Sequence, residues 1–128
     1  MLRREFDLPE EDIEHLESKH YEWETTRNAG LWLLIHNFPI PDGYTVSEAS
    51  IAINMQAYSP GPLDMVYVHP NLVRKDGKEI NCVQCIQTID GLPFQRWSRH
   101  YNWDNEKCNL ITHLIQIEEW FVREFTLR

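Results

Sequence analysis

The sequence predicts an α+β domain: a short N-terminal helix, an antiparallel four-stranded meander and a C-terminal helix. Three observations predict it. Apolar-rich extended runs follow one another between turn residues, the pattern of an antiparallel sheet whose strands neighbour in sequence order. Near the C-terminus apolar residues recur at helical spacing: Leu110, Leu114, Ile117, Phe121 and Phe125, with Ile111, Ile115 and Trp120 alongside. That makes one wide apolar stripe. The length of 128 residues, 42% of them apolar, suits one core rather than two, so residues 1–128 read as a single domain.

Each element has its local reason. Asp7, Pro9 and the carboxylates Glu10, Glu11 and Asp12 form a helix-start signature, because acidic groups suit the first turn. Ile13 and Leu16 give that helix a modest apolar face. Tyr21 to Thr25 alternates as a strand. Asn28-Ala29-Gly30 turns the chain into Leu31 to Phe38, a mostly apolar run of strand length. Pro39 to Gly43 ends it. Val46 to Met55 is a third strand with small polar residues on one face, and Met65 to Val68 a fourth. Residues 79–89 are mixed extended chain, and Asp90-Gly91 is a turn. Asn105 or Asn109 is placed to cap the last helix.

Composition excludes several functions. Twelve Lys and Arg against twenty Asp and Glu leave a net charge of −8, which argues against nucleic acid and against an acidic membrane surface. A basic protein partner fits that charge. No apolar run is long enough to span a membrane. The start turns acidic by Glu5 without an apolar signal core, so a cytoplasmic chain is expected. Three cysteines, Cys82, Cys85 and Cys108, do not make a secreted disulfide framework. The five glycines form no phosphate loop, and no Gly-x-Ser-x-Gly elbow occurs.

The chemistry-bearing residues cluster late in the chain. Cys82-Val83-Gln84-Cys85 has the outline of half a zinc site, a redox pair or a nucleophile region. Zinc wants four matched ligands, and only Cys108 and scattered histidines are left to complete it. No metal or small cofactor is expected; a zinc-stabilised interaction domain is the weakest option. The extended look of the segment disfavours a thioredoxin role, which needs a helix start. The bland alternative is a pair of small buried apolar residues. Arg96-Trp97-Ser98-Arg99-His100 crowds two guanidiniums, a hydroxyl and an imidazole together, suited to binding a carboxylate or to lowering a thiol pKa. Ser98 and His100, two apart on a strand, would share a face. They offer a hydroxyl nucleophile with its base, in place of a thiol.

Taken in order, these pieces resemble a known family. Leu33 to Tyr44, the Tyr58-Ser59-Pro60-Gly61-Pro62 turn, Pro62 to Val68, His69-Pro70-Asn71, Gly77 with Ile80-Asn81-Cys82, Gln95 to His100 and Thr112-His113-Leu114 occur in sequence. The set resembles the ubiquitin-conjugating enzyme superfamily, prokaryotic family E branch, over nearly the whole chain. The resemblance implies a ubiquitin-conjugating-like fold. It implies a cysteine that takes a ubiquitin-like protein from an activating enzyme as a thioester and passes it to an amine. Cys82 or Cys85 would be the acceptor, and Asn71 would steady the oxyanion. Arg96, Arg99 and His100 would hold the modifier's tail or the thiolate, with Asp64 orienting one of these basic groups or lowering an amine pKa. Cys82 lies 11 positions after Asn71 and Cys85 lies 14, both farther than in the family pattern. The distance to His69-Pro70-Asn71 favours Cys82, the distance to Trp97 favours Cys85, and Cys82 is slightly preferred for its Gly-x-x-Ile-x-Cys setting. The other reading is a non-catalytic module of the same fold that binds a ubiquitin-like protein or docks a partner enzyme. Trp97, Trp103 and Tyr101 would then help form the binding surface.

Overall fold

A computed structural model describes residues 2–58 and 61–126; Ser59 and Pro60 of the proline-rich turn lie outside the described residues. The order is α1 (Glu10–Ser18), β1 (Trp23–Arg27), β2 (Leu31–Pro39), β3 (Glu48–Asn54), β4 (Val66–His69), β5 (Ile86–Ile89), β6 (Leu92–Trp97) and α2 (Leu110–Arg123). The α+β class and both helices are as expected. The sheet has six strands rather than four, in the order β1-β2-β3-β4-β6-β5, every pairing antiparallel.

The two additional strands are a hairpin. Asp90 and Gly91 both adopt positive φ, 52° and 81°, which is what a two-residue hairpin turn of matching twist requires. Ile89 and Leu92 close it. The hairpin reverses the chain so that β6, not β5, lies against β4, and the simple meander stops there. Burial explains the exchange. β6 carries the buried Phe94 and Trp97, whereas Ile86, Gln87 and Thr88 of β5 are exposed. The apolar strand takes the interior place and the polar one the edge.

Alternation then sorts the side chains into two cores. Leu33 and Ile35, Ile51 and Ile53, Val66 and Val68, and Trp97 face the helices and meet Leu16 of α1 and Leu110, Leu114, Ile117 and Phe121 of α2. On the opposite face Trp32, Leu34, Ala52, Tyr67, Ile89 and Phe94 make a second cluster. The hairpin curls over it, and Arg3 ties the turn down. Its guanidinium holds Asp90 (Nη1–Oδ1 2.9 Å) and Glu24 (Nε–Oε1 2.7 Å).

Capping follows its local signals in α2 and departs from them in α1. Asn109 accepts from Thr112 N–H (3.0 Å) while Thr112 Oγ1 accepts from Asn109 N–H (2.9 Å), a reciprocal box. Pro9, not Asp7, precedes α1, with no side-chain cap. Tyr58 joins the helices instead: its hydroxyl donates to Asp12 Oδ2 (2.7 Å) and accepts from Leu110 N–H (2.8 Å).

Candidate functional site

The candidate site forms where the long connection from β4 to β5 runs back against the end of β6. Gln95 anchors that connection. Its Oε1 accepts from Leu72 N–H (3.0 Å) and Trp97 Nε1–H (2.8 Å). Asn71, next to Leu72, is thereby held beside β6 and is exposed. Nearer the strand, Arg96 N–H donates to Cys85 O (2.9 Å) and Ser98 N–H to Cys82 O (3.2 Å). Both cysteines are exposed, so the reading of them as buried apolar residues fails. Cys82 adopts positive φ, 58°.

Cys85 continues the β5 register opposite Arg96, which puts both side chains on the outer face of the sheet. Arg96 Nη2 donates to Cys85 Sγ at 3.2 Å. Its Nε is buried with no hydrogen-bond partner among the described residues. No comparable donor reaches the Cys82 sulfur there.

Asp64 and His100 form a second group. Asp64 Oδ2 lies 2.8 Å from His100 Nδ1 on an exposed surface, which leaves Nε2 free. Ser98 is not part of it. β6 ends at Trp97 and Arg99 N–H donates back to Trp97 O (2.9 Å), a tight turn about Ser98, so the one-face argument for Ser98 and His100 does not hold. The imidazole bonds the carboxylate rather than the hydroxyl. Arg99 turns inward, with Nη2 3.3 Å from Glu124 Oε1 and its guanidinium 4.8 Å over the Trp97 ring.

Trp97 was expected at a binding surface but is fully buried against Phe121 and Tyr44. Its role is packing, since a ring with no exposed area cannot meet a partner. Trp103 is half-buried, bonded to Asn105 and stacked edge-on with Tyr58. It lines a cleft of about 350 Å³ with Pro9, Glu11, Tyr58 and Cys108. A second cleft, about 360 Å³, lies under the cysteine segment between Leu72, Ile80, Val83 and Gln95.

Sequence reasoning missed Gln95 as the anchor of the Asn71 segment. The signal was available: Gln95 and Trp97, two apart on a strand, share the inner face, and a buried amide needs several partners. Tyr67 was missed as a shared wall. It lies opposite Arg96 in the β4–β6 register; burial raises its pKa, and the charges of Arg96 and Asp64 act on it in opposite senses. Among the described residues no set of three or more His, Cys, Asp and Glu is gathered to hold a metal.

The fold is an antiparallel sheet backed by two helices, with exposed thiols where the long connection meets the sheet. The family model for Prokaryotic E2 family E matches residues 8–124, and the chain belongs to that bacterial family. Neither a curated protein nor a solved structure is matched. No helix among the described residues is long and apolar enough to cross a membrane.

Proposed function

We propose that this chain is an acyl carrier in a bacterial ubiquitin-like pathway, with Cys85 as the acceptor thiol. The observation that carries this reading is the guanidinium of Arg96 on Cys85 Sγ, 3.2 Å away, beside an exposed sulfur. Acyl transfer needs a nucleophile, a donor for the developing oxyanion, and room for an attacking amine.

The chemistry runs in two exchanges. Cys85 sulfur attacks the thioester carbon that joins the ubiquitin-like protein to its activating enzyme. The new S–C bond forms, the old one breaks, and the activating enzyme's thiol leaves with the proton. A target amine then attacks the same carbon. A C–N bond forms, the C–S bond breaks, and Cys85 recovers its proton. In both steps the carbonyl oxygen becomes anionic. Arg96, already on the sulfur, is the donor nearest to that oxygen, and Asn71 on the neighbouring connection is a second. His100, its Nδ1 held by Asp64, keeps Nε2 for the amine proton. No metal or small cofactor enters the scheme; the partners are the activating enzyme and the ubiquitin-like protein.

The test is intact mass of the chain after incubation with the activating enzyme and ubiquitin-like protein of the same genome and ATP. One added modifier mass, removed by thiol reductant and absent in Cys85→Ser but present in Cys82→Ser, is the expected result. Loss only in Cys82→Ser would transfer the role to Cys82. A reductant-resistant shift would point to a hydroxyl ester or a lysine product. No shift, with a complex on a sizing column, would establish the non-catalytic binding module instead.

A further inference from the structure

The sheet has two edges, and the chain treats them differently. The β1 edge is covered by the N-terminal segment: Glu5 N–H donates to Thr25 O (3.0 Å), Thr25 N–H to Arg3 O (3.1 Å), and Glu5 Oε1 accepts from Arg27 N–H (2.7 Å). The β5 edge has no neighbour among the described residues. Its register shows which groups are free. Because Arg96 N–H bonds Cys85 O, Cys85, Gln87 and Ile89 are the hydrogen-bonded partners of β6. Ile86 and Thr88 therefore point their N–H and C=O groups outward.

An edge of this kind is usually guarded by a lysine, a proline or a bulge. Ile86-Gln87-Thr88-Ile89 carries no charge and no proline, its pairing with β6 is regular, and Ile86 is half exposed. In a chain with 32 charged residues among 128, the unguarded stretch is the one that begins beside the Cys85 thiol.

We infer that the β5 edge is the docking strand for the extended C-terminal tail of the ubiquitin-like protein, which adds to the sheet antiparallel to β5. This rests on the carrier reading and extends it to substrate recognition. Polarity selects the antiparallel sense. A tail running against β5 brings its C-terminal carbonyl to the Cys85 end, beside Arg96. A parallel tail would deliver it to the Asp90 turn, at the far end of the strand from the thiol. Ile86 and Thr88 each supply one donor and one acceptor, so the tail is gripped through its backbone. Its side chains are then free to be small or varied. Arg96 Nη2 meets the acyl oxygen as the tail arrives, and the exposed Ile86 side chain meets a tail residue on the inner side.

Thr88→Pro removes one outward donor without touching a bond to β6, and an edge strand tolerates proline at such a position. The probes are two acyl donors: a thioester of the ten-residue C-terminal peptide of the ubiquitin-like protein, and a small acetyl thioester. Losing backbone pairing worth about 1.4 kcal/mol is about tenfold in rate. The ratio of peptide to acetyl transfer onto Cys85 should therefore fall about tenfold in Thr88→Pro. In the unaltered chain, hydrogen exchange at the Ile86 and Thr88 amides should slow at least about tenfold on charging. The exchange measurement decides the matter if the proline variant does not fold. An unchanged ratio with both amides still fast would overturn edge docking while normal charging leaves the carrier reading standing. Failure of the unaltered chain to be charged at all would instead overturn the carrier reading. Protection of the two amides that rises with protein concentration alone would assign the edge to a second copy of this chain.

Discussion

His113 shows how one residue can set the acid limit of the molecule. It sits fully buried in α2, with Nε2 3.0 Å from Met65 O and Nδ1 2.7 Å from Tyr101 Oη. A carbonyl only accepts, so Nε2 carries the proton and Nδ1 accepts from the phenol. That is the neutral ring. Burial lowers its pKa to about 4 from 6.5, against the smaller opposing pulls of Met65 O and Asp64. The unfolded chain therefore takes up this proton first as the solution is acidified. The stability that neutral His113 contributes is present above pH 6.5 and is lost as the pH falls toward 4, on the order of 3 kcal/mol for that shift. Denaturant midpoints should fall across this window in the unaltered chain, and His113→Gln should flatten the slope there. An identical slope in the variant would place the acid sensitivity elsewhere. At the thiol, Arg96→Gln should slow single-turnover charging of Cys85 by about a hundredfold, as loss of an oxyanion donor does. Intact-mass time courses measure it, and charging at the unaltered rate would remove Arg96 from the mechanism.

The elements depend on a few terminal groups. α2 supplies most of the helical wall of the main core, and its start is held by the Asn109–Thr112 box. Asn109→Ala leaves the Thr112 N–H without its side-chain acceptor and should cost about 1 kcal/mol. Thermal unfolding followed by circular dichroism should register that as a lower midpoint. The β5–β6 hairpin depends on its turn. Gly91 lies at φ 81° with open space around it, so a side chain there meets backbone strain and no clash. Gly43 differs: at φ 108°, an added Cβ would also stand 2.4 Å from the Phe125 ring. The hairpin was hard to read in the sequence because β5 offers only Ile86 and Ile89 as apolar residues, too few for a period. The Asp90-Gly91 turn was legible, but not the fact that the chain on both sides of it would pair. The last helix was legible throughout, since its period repeats over several turns and its cap lies one residue before the first apolar position.

Across the whole molecule the sheet is a shared wall between two cores, and the second is closed by the hairpin and the N-terminal segment. Glu24 is the knot. Burial pushes its carboxyl up, but hydrogen bonds from Arg3 and His36 outweigh this and bring it to about 2 from 4.5. A carboxyl lowered by folding stabilises above the unfolded value and loses that contribution as the pH falls from 4.5 toward 2. Arg3→Ala should therefore lower stability most above pH 4.5, flatten its pH dependence between 4.5 and 2, and release the Asp90 turn. The expected signs are faster hydrogen exchange through residues 86–97 and earlier proteolysis at the hairpin, with the α2 core still protected. Equal exchange in the variant would mean that Trp32, Tyr67 and Phe94 hold the hairpin by packing alone. Phe94→Ala tests that packing directly, at an expected cost of about 3–5 kcal/mol.

The sequence by itself determined the α+β class, both helices, the first four strands and the family, because periodicity, turn residues and ordered motifs are local or linear properties of the chain. It also placed most of the candidate site residues between positions 64 and 100. Only the tertiary structure decided which of these residues meet. The register of β5 on β6 put Cys85 opposite Arg96; the end of β6 at Trp97 separated Ser98 from His100; the core claimed Trp97; and the hairpin left one edge of the sheet open beside the thiol. Those outcomes depend on strand pairing between residues distant in sequence, and a shift of one residue would send every side chain to the opposite face.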